Sequence, residues 1–445
     1  MESTPPALAG LPVLGNTMAF FRDPVALVRT GNRVHGPVFS LKLGPKRAAV
    51  VVGPQESRDV IALPESTLAV RPVYQWVKPM FGDVMQAAEY ERYVAQRTAL
   101  LPAFQGRNYT AYVESMAAEI DEWLGKLGTE GTIDAARDIE ALSFRIALRL
   151  FLGADFRNRN GAEFHALFLD VAAGMELFLP ANLPIPRLIR RDRARRKLFA
   201  LLKPHLDAVR SDPDRERYGF LAHVVAGVDQ DGHRFDDDTI MGLILILVYA
   251  AYETTAAQLA WTLILLLQNP EHLKLVEAEI DGVVGTDRQV PDLAALRRLD
   301  YLYRCQLEAH RLRPVTTMLT RETMTPFEVG GWTVPAGWQT MFCPPVTHRV
   351  PELYPEPDLF DPDRFTGSRD PGGRAAGGLL NLGGGGHGCL GGRFAELEMK
   401  AVTAMLLRSY TLELVHPDPP AAKGLGLARP ASPCPLRYKA RGAAR

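Results

Sequence analysis

A mainly helical fold with small β-sheets is what the sequence predicts, and three observations carry that reading. Helical periodicity dominates from Tyr90 to about Phe151, and one apolar run, Ile240 to Leu267, is far too long for a strand. The clearest extended segments are short runs about Gly and Pro turns. With 38 Gly and 34 Pro in 445 residues, turns interrupt the chain too often for a pure helical bundle. Length alone allows three domains, yet no repeat and no low-complexity linker divides the chain, so a single domain over 1–445 is expected.

The elements follow in order. Pro5, Pro6, Gly10, Pro12 and Gly15 break the lead segment, which has neither the basic start nor the unbroken apolar run of a signal peptide or membrane anchor. Pro37 to Val52 alternates apolar and polar residues around Gly44-Pro45 and reads as a hairpin. Helices then run from Tyr90, with Pro102, Gly106, Gly125, Gly128 and Gly131 as breaks. Asp236, Asp237 and Asp238 precede the long apolar run, where acidic groups suit the positive end of a helix. That run could span a bilayer by length, but Glu253, Thr254, Thr255 and Gln258 in its middle make it a buried core helix. A helical run from Leu296 to Leu312 comes next, then a second small hairpin at Phe327 to Gly337. Pro351 to Phe365 has too many prolines for a regular helix or central strand and reads as an irregular meander.

Charge and cysteine usage exclude several classes. Lys plus Arg and Asp plus Glu both number 51, so no bulk field draws nucleic acid or an anionic membrane. Between Arg187 and Lys197 seven basic residues meet one acidic one; a nucleic-acid or phospholipid patch is one reading, and a solvated helix face is the plainer one. Cys305, Cys343, Cys389 and Cys434 form no CxxC pair, which argues against disulfides or structural zinc and fits a reducing cytosol.

Leu382 to Gly391, LGGGGHGCLG, is the most informative segment, because a helical run begins at Arg393. Cys389 therefore lies just before a helix, whose amides and dipole stabilise a thiolate. Gly383 to Gly386 let the backbone come close to a flat ligand. This segment resembles the signature of the cytochrome P-450 superfamily, Phe-x-x-Gly-x-x-x-Cys-x-Gly, which Gly385, Cys389 and Gly391 match while Leu382 replaces the Phe. Glu308-Ala309-His310-Arg311 is similar to the family's Glu-x-x-Arg motif, and Arg364 to the third member of that structural triad. Ala250 to Thr255 resembles the stretch over the distal haem face, with Ala251 in place of the usual Gly.

The resemblance implies the cytochrome P-450 fold with haem b, iron protoporphyrin IX, whose axial iron ligand is the thiolate of Cys389. It implies that His387, Arg321, Arg97 and Tyr93 serve the haem propionates, that Thr254 handles dioxygen and its waters, and that Glu253 relays protons. Glu308, Arg311 and Arg364 are architectural. The activity implied is a soluble, cytoplasmic, monomeric monooxygenase that inserts oxygen from dioxygen into an apolar small molecule, of terpenoid, steroid, acyl or polyketide-like class, in bacterial secondary metabolism. No flavin or iron–sulfur motif occurs, so a ferredoxin with its reductase, or a flavoprotein, must supply electrons. A haem-thiolate peroxygenase or isomerase, or a non-catalytic haem sensor, is the alternative. Arg71 to Ala88, Phe164 to Leu179 and Val315 to Leu319 are the expected substrate walls, and the layout around the long helix looks somewhat like bacterial sterol 14-demethylases.

Overall fold

The computed structural model describes residues 3–176, 180–229, 231–285, 290–367, 379–422 and 426–441. It divides into two compact units, one of residues 1–70, 126–139 and 254–445, the other of residues 71–125 and 140–253.

The first unit carries every named strand: β1 Val38–Leu43, β2 Lys46–Val51, β3 Leu68–Ala69, β4 Glu130–Asp134, β5 Leu319–Thr323, β6 Phe327–Val329, β7 Trp332–Val334, β8 Gln339–Phe342, β9 Tyr410–Leu414 and β10 Pro435–Ala440. One sheet has the order β1-β2-β8-β5-β3, a second β4-β10-β9, and β6 pairs with β7 alone. The two expected hairpins are present, turning at Gly44 (φ 61°) and at Gly330-Gly331 (φ 56° and 79°), left-handed positions that glycine adopts without strain. Val38, Ala49, Val51 and Phe342 pack on one side of the larger sheet with Val60, and Phe39, Leu41, Val50 and Met341 on the other with Val28. Strand β4 lies inside the stretch read as helical, because its pairing with β10 is set by contacts far along the chain.

The second unit is helical. Helices Tyr90–Leu100, Tyr109–Leu124, Ala154–Ala172, Pro186–Ser211 and Phe220–Ala226 belong to it. Phe144, Phe168 and Tyr252 form its aromatic centre, with ring centroids 5.2–5.9 Å apart. Beside it the fully buried Glu119 carboxylate is met by Arg145, Arg149 and Arg157, the pairing a buried charge requires. The apolar stretch from Phe164 is not one continuous helix, since the helix ends at Ala172. Phe164, Phe168 and Val171 face the core while Leu169 is 44% exposed, and Leu177, Phe178 and Leu179 lie outside the described residues.

Helix Asp237–Gln268 matches the long apolar run, and its start is capped as the acidic lead suggests: Asp236 Oδ1 accepts from the Thr239 amide at 2.7 Å. Among the described residues it is the helix long and apolar enough to cross a membrane, yet 67% of its most apolar window is buried inside the protein. The run read as one helix from Leu296 is two, Leu293–Arg298 and Asp300–Leu312. The break at Leu299 holds because Glu279, from helix Pro270–Val284, accepts from the Tyr301 and Leu302 amides and satisfies the new first turn.

Candidate functional site

Cys389 is exposed, whereas Cys305, Cys343 and Cys434 are buried and burial pushes each of their thiols up, that of Cys434 to about 11. Its amide donates to the Leu382 carbonyl at 2.8 Å, closing the loop just ahead of helix Gly392–Ser409. Two glycines of that loop are sterically constrained. Gly385 has φ 61°, and a Cβ there would lie 2.5 Å from the Ile61 carbonyl oxygen; one at Gly384 would meet the Ile61 side chain at 3.0 Å. Leu382 packs against Gly392, where a Cβ would come within 2.9 Å of it. Nothing in the structure explains Gly391, which has φ −87° and open space where a Cβ would stand.

Glu308, Arg311 and Arg364 converge. The Arg311 fork donates to both Glu308 oxygens at 2.7 Å and to the carbonyls of His348, Pro357 and Leu359 at 2.6–3.0 Å. Arg364 donates to Glu308 at 3.3 Å and to the Pro355 and Glu356 carbonyls, and the Asp361 amide adds a bond to Glu308 at 2.9 Å. Glu308 and Arg311 are fully buried, so this is no surface bridge. The network clamps the proline-rich meander onto helix Asp300–Leu312.

Two partners here were invisible to sequence reasoning. His348 Nε2 accepts from the Leu380 amide at 2.8 Å while its own carbonyl takes Arg311, so one residue ties the triad to the start of the cysteine loop. His387 Nε2 lies 2.6 Å from Glu65, whose other oxygen accepts from the Val70 amide. No sequence signal marks the second pair, whose members are 322 positions apart. Arg321 sits on β5, 7% exposed, opposite Thr340. In the helical unit, Arg97 Nη1 approaches the buried Tyr93 hydroxyl at 3.4 Å, a long bond, and Gln96 pins the same helix by accepting from the Met85 amide at 2.6 Å.

Along helix Asp237–Gln268, positions 239–248 and 255–266 are buried throughout. Between them Ala250 is exposed and Ala251, Glu253 and Thr254 are half-buried, so a carboxylate and a hydroxyl are accessible in mid-helix. Burial, and then the Glu253 carboxylate one turn on, push the Tyr249 phenol up.

The Cytochrome P-450 family model matches residues 5–436. The chain belongs to this family. Its similarity to sterol 14-demethylases is borne out: obtusifoliol 14-alpha demethylase of Triticum aestivum is 31% identical over 93% of each chain, and sterol 14alpha-demethylase of Mycolicibacterium vanbaalenii is 28% identical over 96% of each. Cyclooctat-9-en-7-ol 5-monooxygenase of Streptomyces melanosporofaciens is 29% identical, covering 93% of this chain and 90% of its own. In fold the chain matches the retinoic acid-bound cyanobacterial CYP120A1, with a TM-score of 0.86, 24% identity, and 99% of this chain and 100% of that one covered.

The protein is thus a cytochrome P-450 monooxygenase, and haem is its cofactor. The residues present fit that group: one exposed cysteine ahead of a helix, carried on a loop in which a side chain at Gly384 or Gly385 would collide with Ile61.

His310 and His348 give this cytochrome P-450 an acid limit. Burial pushes their rings down from 6.5 to about 4 and about 3. Both native values lie below the unfolded one, so the stability is complete above pH 6.5 and is lost as pH falls through about 4 and about 3. The thermal midpoint is expected to fall across that window, and His310→Gln to flatten the fall; an unchanged slope in the variant contradicts this.

Proposed function

We propose that the chain is a haem-thiolate monooxygenase that inserts one oxygen atom of dioxygen into an apolar small molecule of terpenoid, steroid, acyl or polyketide-like class. The observation that carries the reading is the half-buried Glu253-Thr254 step between two fully buried stretches of the long helix. The names of the sterol demethylase relatives and of the cyclooctat-9-en-7-ol 5-monooxygenase support the steroid and terpenoid classes, and the Streptomyces source of the latter supports bacterial secondary metabolism. Electrons come from a ferredoxin with its reductase or from a flavoprotein. The single-domain organisation, the monomeric state and the cytoplasmic location are part of the same proposal.

Bound haem supplies reductive activation of dioxygen. The thiolate Sγ of Cys389 holds it, with the dipole of helix Gly392–Ser409 stabilising the sulfur's charge, while Gly385 and Gly391 belong to the cradle. His387, Arg321, Arg97 and Tyr93 bind its carboxylates, and Glu65 fixes the His387 ring. Glu253 passes protons from solvent, and Thr254 Oγ1 hands them on toward dioxygen. Glu308, Arg311 and Arg364 keep the meander and the cysteine loop in register.

Thr254→Ala is expected to fold and load haem normally but to slow product formation by about a hundredfold, the lower end of what a positioned proton donor contributes. NADPH consumption continues and hydrogen peroxide accumulates. Unchanged coupling removes Thr254 from the relay. Wild-type enzyme with a surrogate ferredoxin couple tests the whole reading: NADPH-dependent oxygenated product supports it, and product formed only from added peroxide favours the peroxygenase.

A further inference from the structure

Tyr249 has no part in the chemistry above, yet it belongs to the window in which the burial of the long helix is interrupted. Positions 239–248 and 255–266 are buried, Tyr252 is buried as well, and Tyr249 is half-buried at the edge of the gap between them. Its ring is held in place. Phe81 stands 5.4 Å from it, centroid to centroid, and the fully buried Phe168 stands 6.5 Å from it. Gly242, two turns earlier on the same helix face, is the reason Phe81 can come so close: a Cβ there would lie 2.2 Å from the Phe81 carbonyl oxygen.

The Tyr249 hydroxyl makes no hydrogen bond among the described residues. Glu253 is one turn on, near enough for its charge to act on the phenol, but it does not accept the hydroxyl's proton. Burial and that carboxylate both oppose ionisation, so at neutral pH the phenol is uncharged and can donate as well as accept. A tyrosine hydroxyl withdrawn from bulk water ordinarily has a partner. Here the neighbouring rings are apolar, and a molecule lying along this stretch meets an aromatic wall with one neutral polar group in it. That is the pattern by which small-molecule pockets fix the orientation of an apolar ligand.

We propose that Tyr249 determines specificity: its hydroxyl hydrogen-bonds an alcohol or carbonyl oxygen that the substrate already carries, so the substrate is an oxygenated molecule of the classes named above and not a bare hydrocarbon. This rests on the monooxygenase reading and narrows it. Tyr249 precedes Thr254 by five residues, about 7.5 Å along a helix axis, so the oxygen it holds is several bonds away from the carbon that is oxidised. The bond orients the molecule. A site built to satisfy one hydroxyl also discriminates against the analogue that lacks it, because the protein's own group is then left unpaired.

Ligand binding to the ferric, haem-loaded enzyme tests this without turnover, by calorimetry and the Soret shift, with androstane, menthane and hexadecane set against androstanol, menthol and hexadecanol. At least one of the alcohols is expected to bind the wild type. Tyr249→Phe, which keeps the ring and its aromatic neighbours, should weaken that alcohol by about tenfold, the value of one hydrogen bond, and leave the matching hydrocarbon within about twofold. Thermal unfolding should not change. A loss that is equal for both members of a pair makes the ring a packing element only and overturns the proposal. An unchanged alcohol affinity also overturns it, including the case in which the variant alters only the pH dependence of coupling, which would give the hydroxyl to Glu253. Failure of every alcohol to bind does the same. Because no electrons are supplied, a negative result leaves the monooxygenase reading standing, and a lack of oxygenated product in turnover leaves the Tyr249 contact standing.

Discussion

Arg311→Ala is expected to abolish recovery of folded, haem-loaded protein. The guanidinium is fully buried and makes bonds to Glu308, His348, Pro357 and Leu359. Its loss leaves the equally buried Glu308, among the described residues, with Arg364 and the Asp361 amide, and strands the buried His348 carbonyl. Breaking one buried pair costs about 3–5 kcal/mol, and the stranded His348 carbonyl about 1–3 kcal/mol more. A domain's whole stability is about 5–15 kcal/mol. Arg311→Lys should not rescue, because an ammonium lacks the planar fork that serves both carboxylate oxygens and the carbonyls at once. Soluble yield, haem content and thermal unfolding measure this. A haem-loaded Arg311→Ala enzyme with a wild-type midpoint would show that the meander is held by something else.

Cys389→Ser should behave in the opposite way, with the fold kept and the function lost. The residue is exposed and its loop is closed by a backbone bond from its amide to Leu382, which a serine keeps. What disappears is the thiolate, and with it the long-wavelength Soret band of the reduced carbonyl complex and the electron release that favours O–O cleavage. Monooxygenase turnover should fall to background while the unfolding midpoint stays near wild type. A serine variant that retains the band removes Cys389 from the ligand position.

Local pattern made much of this legible. The long helix, both glycine hairpins and the irregular meander follow from residue periodicity and turn chemistry, whereas the triad was marked by resemblance to the family's Glu-x-x-Arg motif, the spacing of Glu308 and Arg311 alone being that of an ordinary surface pair. The features missed all depend on partners remote in sequence. Strand β4 exists because β10 pairs with it, and the break at Leu299 because Glu279 arrives from another helix. His348 and Glu65 look ordinary until the fold brings Leu380 and His387 to them. The basic run shows the same limit from the other side. Its charge was plain, but that Arg191 and Arg195 turn inward is decided by the Gly174, Ala181 and Met80 carbonyls that the fold brings to them.

The central claim is that this chain inserts oxygen from dioxygen into an apolar molecule. Its most direct test is turnover under isotopically labelled dioxygen, with a surrogate ferredoxin couple and a panel of terpenoid, steroid and long-chain acyl compounds, read by mass spectrometry. The account predicts at least one product carrying a single labelled oxygen atom, formed only with NADPH and lost in Cys389→Ser. Product whose added oxygen comes from water, or turnover confined to small charged metabolites, would contradict it.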